Sequence, residues 1–337
     1  MVIPQRRFPR RVNLTDIAHA CGVAPSTVSR AMSNPSRVSV EMYERISQKA
    51  IEMGYRSATL PAGGERWVRG TIALVLPNLS NPFVFDILRG SQAQCQAAGF
   101  LHLLVSTDDS AHIEQEWLKE LSQTVDGIVV ASPRTDDSVL QEVSHAVPLV
   151  SINREVPGIP GVVIDTPAAA VQGLDYLTTL GHRRIAYVRG PENSWTDHAR
   201  LDALSAAAAR KSIDLIPIGA FHPSLAAGAA AADAVALSEA TAAIFFNDTL
   251  AIGAMSRFRE RGIDVPGRIS VVGCDDIFGA ATADPPLTTV TAPGDRAGRA
   301  ATELLIGGLA SRSRPPRVDH VSAHLTVRAS TGPALVD

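Results

Sequence analysis

The sequence predicts a small all-α head followed by an α/β core of two lobes, each a doubly wound parallel sheet. Three observations carry that expectation. Residues 13–34, NLTDIAHACGVAPSTVSRAMSN, read as two short helices joined at a glycine. From Thr71 onward, short runs that are apolar throughout alternate with helix-length amphipathic segments. Strands of that kind are buried on both faces, as in a parallel sheet covered by helices. Finally, Ile72-Ala73 with Val75 and Pro77 is echoed by Ile185-Ala186 with Val188 and Pro191. The strand–helix alternation thus opens twice, once for each lobe.

Composition bounds the rest. A chain of 337 residues suits two or three domains, and 45% apolar with 19% charged residues supplies ample core. Cys21, Cys95 and Cys274 are scattered and odd in number. They form neither a disulfide framework nor a metal cluster, so a reducing, cytoplasmic setting is expected. There is no secretory signal, and no apolar run of about 18 residues, so no membrane partner is expected. Charge is uneven. Residues 1–70 hold 11 Lys and Arg against 5 Asp and Glu, and the remainder 20 against 29. A basic head on an acidic body fits a polyanion partner for the head alone.

Residues 1–11, with Arg6, Arg7, Arg10 and Arg11, read as a disordered basic tail. Residues 12–56 form the head. Asn13 can cap its first helix, Ile17, Ala20 and Cys21 share one face, and Gly22 supplies the positive φ that stops it. Pro25 suits the first position of the second helix, whose apolar face is Val28 and Met32. Its other face, Ser26, Thr27, Ser29 and Arg30, suits phosphates and base edges, as in the recognition helix of a helix-turn-helix. Ser39 can cap a third helix striped by Ile46, Ala50 and Met53. Residues 57–70 are a linker by composition, with Pro61, Gly63 and Gly64. The core spans residues 71–330. A cleft between the carboxyl ends of its two sets of strands is where open α/β sheets bind ligands.

Catalytic signatures are missing. There is no GxGxxG after a strand, no GxxxxGK[ST], no GxSxG and no HExxH. Neither a cofactor nor a metal is expected. The pairs Asp108-Asp109, Asp136-Asp137 and Asp275-Asp276 lie at strand ends without a neighbouring nucleophile, so enzyme activity is not expected either.

Taken together, NLTDIAHACGVAPSTVSRAMSN, GTIALVLPNLSNPF, VDGIVV, LGHRRIAYVRGP with ARLDAL, FFNDTLAIGAM and DVPGRISVVGCDD with PPLTTV resemble the LacI/GalR family of bacterial transcription regulators. The resemblance runs from about Val12 to Ser330. It implies a helix-turn-helix head, a hinge and a core like the type I periplasmic binding proteins. One lobe would be about 71–164 with 291–320, and the other about 165–290 with 321–330, its last strand running His320 to Arg328. It implies a homodimer on a near-palindromic double-stranded DNA operator, acting as a repressor whose affinity is set by a small-molecule effector, a sugar or sugar derivative. Pro25 and Ser26 would read bases, and Arg30 base or phosphate. Asn13, Thr15, Thr27, Ser29 and Asn34 would hold phosphates, although Ser29 and Asn34 can equally cap helix ends. In the cleft, the resemblance implies Asn81, Phe83, Asp108, Asn153, Arg154, Arg200, Phe221, Asn247 and Asp275 as ligand contacts.

The sequence also departs from the family pattern. Ala24 replaces the usual Ser or Thr cap of the recognition helix, at a cost of about 1 kcal/mol. In the hinge, Gly64 stands where the family has a leucine, and Pro61 interrupts. Either Leu60 is a displaced minor-groove wedge or the protein does without one. The segment after the last strand lacks leucine heptads, so a dimer rather than a tetramer is expected. A second reading is a soluble sugar-binding module whose head has lost operator binding through this hinge.

Overall fold

The computed structural model describes residues 14–33, 37–53, 70–310 and 316–335. The basic tail, Asn13, Asn34 and hinge residues 57–69 lie outside the described residues. The chain divides into two compact units, Met1–Gly70 and Thr71–Asp337.

The first unit contains α1 (Leu14–Cys21), α2 (Pro25–Ser33) and α3 (Val40–Glu52). Gly22, at φ +64°, ends α1. Gly22 N–H then reaches His19 O, and Val23 N–H reaches Ala18 O. This paired closure satisfies carbonyls that a helix end leaves open. Ser39 Oγ accepts from Met42 N–H and caps α3. Ile17, Ala18, Cys21, Val28, Ala31, Ile46 and Ala50 make the buried core. Ala18, not Ala20, is the alanine α1 buries, while Ala20 is exposed. With Ile17, Cys21 and Leu14 that makes an i, i+3, i+4 stripe.

The second unit is built on two six-stranded sheets. The first has the order β11-β5-β4-β3-β1-β2. Its strands are β1 (Thr71–Leu76), β2 (Leu101–Ser106), β3 (Gly127–Ala131), β4 (Leu149–Ile152), β5 (Gly161–Asp165) and β11 (Val318–Ser322), all parallel. The second has the order β12-β10-β9-β8-β6-β7. Its strands are β6 (Arg184–Val188), β7 (Asp214–Ile218), β8 (Ala242–Phe245), β9 (Ser270–Asp275), β10 (Thr288–Thr291) and β12 (His324–Thr326). Only β12 runs antiparallel, against β10. The stretch His320 to Arg328 is therefore not one strand. Its first part, β11, joins the first sheet, and β12 joins the second after the break at Ala323.

Helices cover both faces of each sheet. Many begin at a side-chain cap: Ser110 on α5 (Ala111–Thr124), Asp165 on α7 (Thr166–Thr179), Ser194 on α8 (Trp195–Lys211) and Ser224 on α9 (Leu225–Leu237). Three helices escaped the sequence reading, α6 (Asp137–Ala146), the short α11 (Phe278–Thr282) and α12 (Gly294–Ala310).

In each lobe one helix pair packs backbone to backbone through glycine. In the first lobe, α4 (Phe83–Ala97) meets α12. A Cβ on Gly90 would lie 2.0 Å from Asp295 O, and one on Gly298 2.1 Å from Ile87 O. In the second, α9 meets α10 (Asp248–Glu260), and Cβ atoms on Gly228 and Gly253 would meet the carbonyls of Leu250 and Leu225 at 2.3 and 2.2 Å. Backbone cannot yield as a side chain does, so a methyl there forces the helices apart. Gly90→Ala and Gly253→Ala should each lower stability by about 1–3 kcal/mol in thermal or urea unfolding, the usual cost of overpacking. Gly307→Ala, with open space around its Cβ, should not.

Candidate functional site

A parallel strand ends in a loop at its carboxyl end, and the loops of both sheets line one cleft. From the first lobe come Pro77 and Asn78 after β1, Asp109 after β2, Ser132 and Arg134 after β3, and Asn153 after β4. From the second come Thr166 after β5, Phe246 after β8, Asp275 at the end of β9, and Ser194, Thr196 and Arg200 at the head of α8.

Arg200 is the buried cation of the second-lobe wall. Its Nε donates to Thr166 Oγ1 at 3.1 Å and its Nη1 to the Phe246 carbonyl. The guanidinium also stands over the Phe246 ring, 4.9 Å from the centroid. The ring lies there because position 190 is glycine; a Cβ at Gly190 would come within 2.4 Å of it. The helix bearing Arg200 is fixed one turn earlier by Asp197. That buried carboxylate accepts from Tyr187 Oη (3.0 Å), Gly190 N–H (2.8 Å) and Arg189 Nε (3.0 Å).

Asp275 is buried beside this cation. Burial pushes its carboxyl up to about 7, against the opposing pull of Arg200. Across the cleft, Asn81 Nδ2 points to Asp275 Oδ2 at 3.5 Å, and Thr196 Oγ1 donates to Asn153 O at 3.2 Å. Both contacts join one lobe to the other. Behind Asp275, Asp248 is held by Thr289 Oγ1 and Ile277 N–H, and burial raises its carboxyl too.

Five of the nine residues expected at the cleft line it: Asn81, Phe83, Asn153, Arg200 and Asp275. Four do not. Asp108 accepts from Ser106 Oγ, and its neighbour Asp109 takes the cleft position. Arg154 is a loop clamp, donating to Pro133 O and Thr135 O and pairing with Asp137. Phe221 packs against the second-lobe core. Asn247 caps α10 through Oδ1 to Leu250 N–H, while its Nδ2 is buried with no partner among the described residues. The residues missed by sequence include Asp109, Arg134 and Phe246. Their one legible signal was a place just after an apolar strand.

The head carries a second candidate surface. Thr15, Pro25, Ser26, Ser29 and Arg30 are exposed, Thr27 is half-buried, and Val28 anchors α2 inward. Arg30 Nη2 lies 3.5 Å from Ser26 Oγ, on the same face. Ala24 precedes α2 with only its carbonyl engaged, by Thr27 and Val28 N–H.

Residues 13–57 match the model of the bacterial regulatory proteins of the lacI family, and residues 174–331 that of a periplasmic binding protein-like domain. The chain is 30% identical to the HTH-type transcriptional repressor CytR of Escherichia coli K12 over 329 residues, covering 94% of this chain and 96% of that protein. It is 33% identical to the HTH-type transcriptional regulator DegA of Bacillus subtilis over 293 residues, covering 84% and 87%. Among solved structures, the transcriptional regulator CelR in complex with cellobiose superposes with a TM-score of 0.71 at 26% identity, covering 95% of this chain and all of that one.

The raised Asp275 carboxyl sets a pH dependence. A group protonated more readily when folded stabilises at low pH, and that contribution is lost as pH rises through its folded value. Asp275→Asn has no such proton to lose. Its stability advantage over wild type should therefore widen between about pH 4 and about pH 7 and then level off, read by urea unfolding across pH. A constant difference would place the Asp275 carboxyl in the ordinary range.

Proposed function

The chain belongs to the LacI family of bacterial regulatory proteins, and from that premise we propose a sequence-specific repressor, cytoplasmic and dimeric, whose operator affinity is set by a small sugar-like effector in the interlobe cleft. The observation that carries the reading is the cleft itself. It holds a buried guanidinium and a buried carboxyl on the second-lobe wall and amide side chains on the first, beside the rings of Phe83 and Phe246. Hydroxyls both donate and accept, so a polyol satisfies such mixed partners, and its C–H face suits an aromatic wall. The cellobiose bound by CelR is of this class.

An effector that touches both walls favours one arrangement of the lobes over another, and that preference is the source of control. In the head, Pro25 and Ser26 read bases, Arg30 reads base or phosphate, and Thr15, Thr27 and Ser29 hold phosphates. Asn13 and Asn34 join them on the family resemblance alone. In the cleft, Asn81, Phe83, Asn153, Arg200 and Asp275 contact the effector, and the spare Nδ2 of Asn247 is available to an acceptor. The edge strand β2 supports pairing with a second copy. Leu101 is 54% exposed, and Leu103 and Leu104 are exposed as well. An uncovered apolar edge of that kind is a liability unless a partner occupies it.

Two outcomes test this. A thermal-shift screen of sugars and nucleosides should find a ligand that, at 100 times its Kd, stabilises the core by about 2.7 kcal/mol. Arg200→Ala should abolish that shift, and a retained shift would remove Arg200 from the site. Ser26→Ala should weaken operator binding by about 1–3 kcal/mol and relax base choice at one position, measured by mobility shift on a base-substituted operator series. No salt-dependent DNA binding at all would instead favour a sugar-binding module without an operator.

A further inference from the structure

The first-lobe wall contains an ion pair that the reading above does not use. Arg134 donates to Asp109 Oδ1 from Nε at 3.0 Å and from Nη2 at 2.8 Å. Both side chains are only 6% exposed, and both line the cleft. The pair is built with care. Asp109 has a left-handed backbone (φ +58°), its N–H reaches Pro77 O, and Asn78 Nδ2 donates to its Oδ2 at 3.2 Å. The loop bearing Arg134 is clamped from below. The buried Glu114 carboxylate accepts the N–H groups of Arg134 and Thr135, while Arg154 holds the carbonyls of Pro133 and Thr135. Burial raises the Glu114 carboxyl, and the two N–H groups oppose that rise.

A buried ion pair is poor value as a structural device, because apolar residues of similar volume stabilise as well or better. Its place on the cleft wall gives it another use. The second-lobe wall also sets a cation near a carboxyl, Arg200 and Asp275, which feel each other's charge without a direct ion pair. In both guanidiniums one amino group, Arg134 Nη1 and Arg200 Nη2, has no protein partner among the described residues. Each lobe therefore offers a cation with a carboxyl in its field and a donor to spare.

We propose that the Arg134–Asp109 pair is a specificity determinant, which with Arg200 and Asp275 makes the cleft charge-balanced, so that it accepts an uncharged polyhydroxyl effector and rejects its phosphorylated counterpart. A phosphate entering the cleft finds donors but also two carboxylates at close range, and a like charge in a water-poor site is strongly disfavoured. A hydroxyl meets no such penalty, since it donates to a carboxylate and accepts from a guanidinium. The proposal rests on the cleft's being the effector site, but the charge balance can be tested without knowing the effector. His222, from the second lobe, has its Nε2 3.8 Å from Asp109 Oδ2, so all the tests are run at one fixed pH.

The probe is inorganic phosphate, titrated calorimetrically into the full chain. Wild type should show no measurable binding. Asp109→Asn keeps the shape but frees Arg134, and should bind phosphate at least about tenfold more tightly. Adding Arg134→Gln to that variant should return it to the wild-type result. Phosphate binding by wild type, or no gain in Asp109→Asn with its unfolding midpoint retained, would overturn the proposal. If Asp109→Asn fails to fold, Arg134→Gln in the wild-type background and a thermal-shift comparison of ribose with ribose 5-phosphate, and of other sugars and nucleosides with their phosphates, decide instead. A phosphate ester that stabilises wild type more than its parent overturns the proposal, and the reverse preference supports it. If neither sugars nor nucleosides stabilise wild type while Asp109→Asn gains phosphate binding, the effector reading fails and the charge balance stands.

Discussion

Parallel strands deliver their chain exits at one end, and that constraint organises this core. Two sheets, each with its topological switch beside its first strand, turn those exits toward a common cleft. Asn78, Asp109, Ser132, Asn153, Phe246 and Asp275 share nothing in sequence spacing, yet each ends or follows a strand. The helices could not cover the sheets this closely without the glycine contacts of α4 with α12 and α9 with α10. The same device, used once in each lobe, keeps both walls firm while the connections between them stay few.

Charge in the cleft follows from burial. An ion removed from water needs a partner, so each guanidinium on the walls has hydrogen-bond acceptors and a carboxylate nearby. Arg200 meets a hydroxyl, a carbonyl and a ring, while burial pushes Asp275 toward protonation against the pull of Arg200. Arg134 and Asp109 satisfy each other directly. The contacts from Asn81 to Asp275 and from Thr196 to Asn153 cross between the walls, so whatever fills the cleft competes with bonds that hold the lobes together.

Much of this was legible in the sequence. Gly22 announced the turn of the head, apolar runs announced the strands, and Arg200 and Asp275 could be picked out by resemblance. The misses have physical reasons. Asp108 and Asp109 are both acids in left-handed backbone, and only the packing of the loop against Pro77 and Asn78 decides which one faces the cleft. Arg134 lies in a loop that reads as solvent-exposed until Glu114, in the first turn of α5, is seen to hold its backbone. The division at Ala323 is invisible to periodicity, because a strand that changes sheets keeps its alternating pattern. Arg154 has the right residue type in the right loop, but its guanidinium is committed to carbonyls.

The proposed repressor requires that occupancy of the cleft and DNA reading by α2 be coupled. Coupling between two binding sites is reciprocal: if the effector changes operator affinity, the operator changes effector affinity by the same factor. The most direct measurement is the Kd of a ligand found by screening, taken with and without saturating operator duplex. Coupling of this kind changes that Kd about fivefold or more, and Arg200→Ala abolishes the change. An effector Kd unaffected by operator would contradict it.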